Sequence, residues 1–319
     1  MKGARNRVVA LCGGIGGAKL VLGLSRVITP ADLTVIVNTA DDFEHLGLAV
    51  SPDLDTVMYT LAGLDDPRRG WGRRDETWSF MRSLAALGGE TWFRLGDGDL
   101  ATHVERTRRL RQREKLSVIT ADFCRRLGVA VEIVPMSDDK VRTRVCTDIG
   151  DLDFQDYFVR RRCAPVVRRL DYEGAATARP HDLALAALRD SRLRAAVICP
   201  SNPLLSIEPI LAMPQLREAV AACPAPVIGV SPIIAGAAVK GPTAKMMAEL
   251  GLPVTASAVA RRYSDLLDGY VVDRADASHA QELDVPVMIT STLMLSLADR
   301  ELLARDVLGH ADTLAKAPA

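Results

Sequence analysis

Four aspartates, Asp41, Asp42, Asp53 and Asp55, fall within fifteen residues. Unpaired, such carboxylates repel one another. A hard divalent cation relieves the repulsion, and Mg²⁺ in particular takes one or two carboxylates together with waters and substrate phosphate oxygens. The competing reading of Asp53 is a helix N-cap ahead of Leu54 to Met58. Upstream, residues 8–19 read VVALCGGIGGAK, an apolar run that breaks into Gly13, Gly14, Gly16 and Gly17 before Lys19. Glycine lets backbone N–H groups approach an anion closely, and a helix start behind them adds partial positive charge. Neither standard phosphate loop is present. Lys19 is flanked by Ala18 and Leu20 where a Walker loop needs G-K-[ST], and it stands where the dinucleotide fingerprint needs its third glycine. Without a ligand the same run is a tight strand-to-helix turn.

Further polar segments follow other apolar runs: Pro135 to Asp139, then Pro200-Ser201-Asn202-Pro203 with Ser206, then Ser231 to Gly236 with Lys240-Gly241-Pro242. Ser201, Asn202 and Ser206 offer neutral hydrogen-bonding groups suited to a phosphate or a base edge. Lys245 adds a point charge near a helix start; the plainer reading is a capped turn with a solvated lysine. All three tryptophans, Trp71, Trp78 and Trp92, lie near Arg73, Arg74 and Arg94, in a chain that is only 4% aromatic. They form either lobe core or a wall for a flat ring system. Asp99 reads as a cap for a helix from Ala101, and His103 as a satisfied core histidine. The basic runs 106–113 and 160–169 read as solvated faces.

The elements that must position these residues alternate. Short β-branched runs at residues 8–11, 33–37, 129–134, 195–199, 226–230, 270–272 and 287–289 suit strands buried on both faces. Helical patterns occupy residues 20–27, 181–189, 216–222, 244–250 and 256–267. This alternation predicts an α/β fold: a Rossmann-like, doubly wound, mainly parallel sheet in one domain over 1–319. Residues 54–127 read as an inserted helical lobe, with helices at 76–87, 101–113 and 117–127. Residues 141–159 read as a β-hairpin appendage around Asp148 to Asp151. In such a sheet the residues after each strand share one edge, where ligands bind.

Composition bounds the rest. The chain has 319 residues, 48% of them hydrophobic, with 40 basic against 40 acidic side chains. No net field favours nucleic acid. No apolar stretch reaches membrane-span length, and no export signal is seen. The six cysteines lack C-x-x-C spacing and suit a reducing cytoplasm. No Ser-His-Asp order or nucleophile elbow appears.

The segments GGIGGAKL, VNTADD, SPDLDTVMYTL, RGWGRRDETW, RLGDGDLATH, PMSDD, DFQDYF, PSNPLLSI and SPIIAGAAVKGP, in this order, make the chain resemble the 2-phospho-L-lactate transferase family of coenzyme F420 biosynthesis. The resemblance implies a cytoplasmic homodimer and an Mg²⁺-dependent reaction. A phosphorylated three-carbon acid passes from a guanosine-diphosphate-linked donor to the deazaflavin alcohol Fo, releasing GMP. It also implies deazaflavin contacts at Asp55 and Arg94 with Trp92 beside them, and Mg²⁺ at Asp41, Asp42, Asp53 and Asp55. The donor diphosphate and guanosine would lie over Gly13, Gly14, Gly16, Gly17, Lys19, Ser201, Asn202, Ser206, Ser231 and Lys245. Asp55 would orient the attacking hydroxyl or act as its base. A related branch of UDP-sugar-binding regulators shares the glycine loop but lacks the GD-x-D-x-ATH segment. One departure concerns Gly98, where the family commonly has arginine. It leaves 2-phospholactate, phosphoenolpyruvate and phosphoglycerate open as the acid.

Overall fold

A computed structural model describes residues 5–238 and 241–315; Lys240 lies outside them. The chain opens with β1 (Arg7–Cys12), α1 (Gly14–Val27) and β2 (Leu33–Val37), then a short hairpin of β3 (Phe43–His45) and β4 (Leu48–Val50). Four helices follow: α2 (Pro52–Ala62), α3 (Ser79–Ala86), α4 (Asp97–Arg111) and α5 (Leu116–Arg126). After β5 (Glu132–Pro135) come β6 (Arg142–Thr147), β7 (Gly150–Asp153) and β8 (Val167–Glu173). The rest runs through α6 (Asp182–Leu188), β9 (Leu193–Ile198), a π-helical turn at Pro203–Ile207, α7 (Glu208–Leu211) and α8 (Pro214–Ala221). It ends with β10 (Val227–Val230), β11 (Ile233–Ile234), β12 (Ala237–Ala238), α9 (Thr243–Glu249), α10 (Ala256–Arg261), β13 (Gly269–Asp273), β14 (Val287–Thr290) and α11 (Leu297–Thr313).

The main sheet has seven strands in the order β5-β2-β1-β9-β10-β13-β14, and every neighbouring pair is parallel. These are the seven strands that the apolar runs predict. Their alternate residues serve opposite faces: Val9 and Leu11 join one core cluster, Val8, Ala10 and Cys12 the other. The chain leaves β1 toward β2 and β5, then returns to β9 on the other side. That reversal makes the gap between β1 and β9 a topological switch point, where open α/β sheets bind ligands.

Helices α2 to α5 follow β2 in sequence, but the β3–β4 hairpin precedes them and turns the chain back so that Asp53 meets Asn38 at the β2 strand end. The appendage is three-stranded, in the order β7-β6-β8, because β8 pairs antiparallel along β6 from Arg142 to Thr147. Helix α11 is absent from the predicted pattern, although Ser296 and Asp299 form a capping box at its start. Its apolar side packs into the same cluster as α1.

Candidate active site

The glycine turn joins β1 to α1, with Gly13 extended as the N-cap and Gly14 at φ +60°. Its neighbours explain the residue choice. A Cβ at Gly16 would lie 2.2 Å from the Pro200 carbonyl oxygen, and one at Gly13 would lie 2.1 Å from Asp53 Oδ2. The glycines therefore let this turn press against the segment that follows β9 and against the start of α2. Ser201 ties the two turns: its hydroxyl donates to the Gly13 carbonyl (2.8 Å) and accepts from the Gly13 amide (3.2 Å). A carboxylate of the chain itself sits at the start of α1. The Gly14 amide donates to Asp53 Oδ1 at 2.8 Å, and Asn38 Nδ2 donates to Asp53 Oδ2 at 2.9 Å. Helix α2 takes Ser51 as its N-cap residue, so Asp53 caps the neighbouring helix rather than its own.

Asp41, Asp42 and Asp53 are all buried. Burial raises the Asp53 carboxyl to about 6, against hydrogen bonds from Asn38, Gly14 and Ser206 that pull it down. Burial raises Asp42 to about 7, opposed by the positive charges of Arg142 and Arg106. Asp41 is pushed well up by burial and by the Asp53 charge. The appendage contributes here: Thr143 Oγ1 donates to Asp41 Oδ1 at 3.4 Å, and the Thr143 amide donates to the Ala40 carbonyl at 2.9 Å. Asp42 Oδ1 and Thr39 Oγ1 are buried without a hydrogen-bond partner. Excess buried negative charge with unsatisfied oxygens suits a hard divalent cation.

The metal-free protein carries a pH signature of this arrangement. Unfolded, these carboxyls ionise near pH 4; folded, they hold protons up to about pH 6 and 7. The folded state binds more protons across that window, so these groups cost stability as pH rises through it. In chelator, Asp42→Asn should melt higher than the parent at pH 8, by about 2–4 °C per kcal/mol relieved, and the gain should shrink as pH falls and be gone by about pH 3, below both the folded and the unfolded titration. An equal gain at both pH values would contradict the assignment.

Asp55 belongs to a second cluster, between α2 and α4. Both its oxygens meet the Arg106 guanidinium, Nη1 reaching Oδ2 at 3.0 Å and Nη2 bonding Oδ1. Arg106 is only 2% exposed, so the expectation of a solvated 106–113 face fails at its first residue. An arginine three and seven residues after His103 and Asp99 shares their face of the helix, and that face turns inward. Arg106 Nη1 also lies 3.2 Å from His103 Nδ1, and His103 Nε2 lies 3.3 Å from Asp99 Oδ1. Tyr59 donates to Asp99 Oδ1 at 2.8 Å. Burial raises the Asp99 carboxyl, but His103, Tyr59 and Arg106 outweigh it and the net shift is downward. Among the described residues, Asp55, Asp99 and His103 have ligand atoms within 4.8 Å of one another. A guanidinium seated on Asp55 competes there with any cation, and among the described residues Asp41, Asp42 and Asp53 do not form a second group of three with ligand atoms that close. Asp99 does not cap a helix from Ala101: α4 already starts at Asp97.

Other candidates take other places. Lys19 Nζ donates to the Met294 carbonyl at 2.8 Å. It lines a small cleft of about 70 Å³ with Thr56, Thr60, Trp71, Leu295 and Arg300. Trp71 is exposed and meets Trp78 edge-on at 6.3 Å, and the Arg94 guanidinium lies 4.4 Å over Trp78. Trp92 packs instead with Phe43, His45 and Phe93. Asn202 caps the π-helical turn by accepting from the Leu204 and Leu205 amides. Ser231 is bonded within its own turn, to Ile233. Lys245 pairs with Glu249 and donates to Tyr157 and to the Pro165 carbonyl; these contacts are to the appendage side, not to the glycine turn. Of the Pro135 to Asp139 segment, Asp138 holds the start of α5 through Ser117. The expected set thus converges at the switch point in Gly13, Gly14, Gly16, Gly17, Ser201, Ser206 and Asp53, whereas Lys245 and Trp92 make their contacts elsewhere. His103 and Arg106 are the residues that the linear pattern passes over.

These features define a doubly wound α/β protein whose switch point joins a close-packed glycine turn to buried carboxylates, the setting for a phosphate-bearing ligand. The chain belongs to the family of 2-phospho-L-lactate transferase CofD, whose pattern matches residues 8–297. It is 43% identical to a phosphoenolpyruvate transferase of Streptomyces griseus, over 89% of this chain and 93% of that protein. It is 41% identical to one of Streptomyces coelicolor, over 98% of this chain and all of that protein. A solved UPF0052-family protein of Bacillus halodurans shares the fold, with a TM-score of 0.65 at 15% identity, covering 97% of this chain and 99% of that one. No helix among the described residues is long and apolar enough to cross a membrane.

Proposed function

We propose that phosphoenolpyruvate is the acid moved by this protein, a transferase of coenzyme F420 biosynthesis that joins a phospho-acid to Fo. The observation that carries this reading is near-full-length similarity, at 41–44% identity, to proteins named phosphoenolpyruvate transferase. The switch-point geometry supports the same chemistry. Phosphoryl-group transfer asks a protein mainly for positioning and charge stabilisation. The diphosphate of a guanylated donor fits over Gly13 to Gly17 and the turn at Ser201 to Ser206, with guanosine toward Ser231. Mg²⁺ held by one or two of Asp41, Asp42 and Asp53 would neutralise diphosphate charge. Lys19, on the wall of the neighbouring cleft, adds a further cation.

The cleft beside Trp71 offers a flat apolar wall for the deazaflavin ring, with Arg94 behind it on Trp78. Its floor includes Thr56, next to Asp55. Asp55 orients the ribityl hydroxyl of Fo, which attacks phosphorus while GMP leaves from the opposite side. A homodimer is our expectation from the family resemblance. The runner-up, a UDP-sugar-binding regulator, is disfavoured because the relatives at 41–44% identity are transferases by name. The deciding experiment offers the protein Fo, Mg²⁺ and each guanylated acid in turn and follows GMP. Fastest release with the phosphoenolpyruvate donor supports the proposal. Turnover confined to 2-phospholactate or phosphoglycerate donors overturns the donor assignment. Saturable UDP-sugar binding with no turnover on any donor points to the regulator.

A further inference from the structure

We propose that Arg106 positions Asp55 for the acceptor hydroxyl, and that a buried relay through His103, Asp99 and Tyr59 holds Arg106 in turn. This rests on Asp55 being the residue that meets the acceptor. Replacing a buried ion pair by apolar side chains is often neutral or stabilising. Stability alone is therefore a poor reason to bury the Asp55–Arg106 pair, with Arg106 at 2% exposure. Its geometry supplies a better one. A planar guanidinium bonding both carboxylate oxygens fixes their plane as well as their place, which a point charge cannot do. Each carboxylate oxygen still has a second lone pair to accept from a hydroxyl.

The clamp is itself held. Arg106 Nη1 faces His103 Nδ1 at 3.2 Å and donates to the Ala49 carbonyl at 3.4 Å. Arginine has no acceptor, so His103 Nδ1 must accept and its ring proton sits on Nε2. That nitrogen lies 3.3 Å from Asp99 Oδ1, an electrostatic contact that falls short of hydrogen-bond geometry. Asp99 takes a bond from Tyr59, which is four residues after Asp55 on α2. Its amide donates to Glu76 Oε1 at 2.7 Å, beside the Gly98 amide on Glu76 Oε2 at 2.6 Å. The chain of contacts begins and ends on α2, so it sets α4 against α2 and the carboxylate of Asp55 between them.

The test compares Arg106→Lys, Asp55→Asn and the double variant by steady-state kinetics, with Fo fluorescence for binding and a thermal melt for folding. Arg106→Lys keeps the charge and loses the fork. It should lower kcat by about 10- to 100-fold, change KM for Fo far less, and melt cooperatively. In the Asp55→Asn background the same change should cost nothing further, because no carboxylate remains to be positioned. Multiplicative losses, or parental kcat in Arg106→Lys, overturn the proposal while leaving the Asp55 reading intact. Parental turnover in Asp55→Asn overturns both. If Arg106→Lys does not melt cooperatively, His103→Ala reads the same relay. It leaves the ion pair in place, and a loss of kcat that disappears in the Asp55→Asn background supports the proposal. Unchanged kcat in His103→Ala overturns it.

Discussion

Asp55→Asn is expected to reduce turnover by roughly 10²- to 10⁴-fold, the range for losing a positioned proton acceptor. The substitution keeps size and one acceptor oxygen, but replaces the other with a donor that faces Arg106. Stability should fall as well. Breaking a buried ion pair from one side leaves the partner charge uncompensated, at a cost of about 3–5 kcal/mol. Retained hydrogen bonding to the amide oxygen and to the Ala49 carbonyl should keep the loss toward the lower end. A lower melting temperature with a cooperative transition, together with collapsed GMP release, is the expected pair of results. Folded Asp55→Asn protein that releases GMP at the parental rate would remove Asp55 from the reaction.

Gly16→Ala should act through the donor instead. Its Cβ would meet the Pro200 carbonyl oxygen at 2.2 Å and the carbonyl carbon at 3.4 Å. Backbone cannot swing aside as a side-chain end can, so α1 or the turn after β9 has to move. Overpacking of this kind costs about 1–3 kcal/mol. The same displacement separates the two turns proposed to grip the diphosphate, and misplacement by about 1 Å is worth up to 10²-fold. Donor KM should rise or kcat should fall by at least about tenfold, while Fo binding measured by fluorescence stays near the parental value. Gly309→Ala is the matched control: it lies within α11, nothing stands within 4 Å of its added Cβ, and helix propensity favours alanine by about 1 kcal/mol. Parental kinetics in Gly16→Ala would mean that the contact with Pro200 does not shape the donor site.

The reading of residue types was most dependable where one local pattern had one physical outcome. Seven β-branched runs became the seven strands of the main sheet, because a segment buried on both faces has few alternatives. Asp53 shows where that dependability stops. It stands in the first turn of α2, and a local rule suggests a cap for that helix; its carboxylate instead meets Gly14, thirty-nine residues earlier in the chain. The intervening β3–β4 hairpin, turned by Leu46 and Gly47 at positive φ, brings the two together. Asn202 went the other way, serving mainly as the cap of its own turn.

Residue order alone determined the alternating α/β architecture, the glycine turn at its first strand end and the family, since each follows from local periodicity or a contiguous motif. Only the tertiary structure decided which charges face one another. Arg106, read along the chain, belongs to a basic run; folded, it is sealed against Asp55, fifty-one residues away. Whether a charged helix face meets water or a buried carboxylate depends on what packs across from it, and that partner is set by the path of the chain between them.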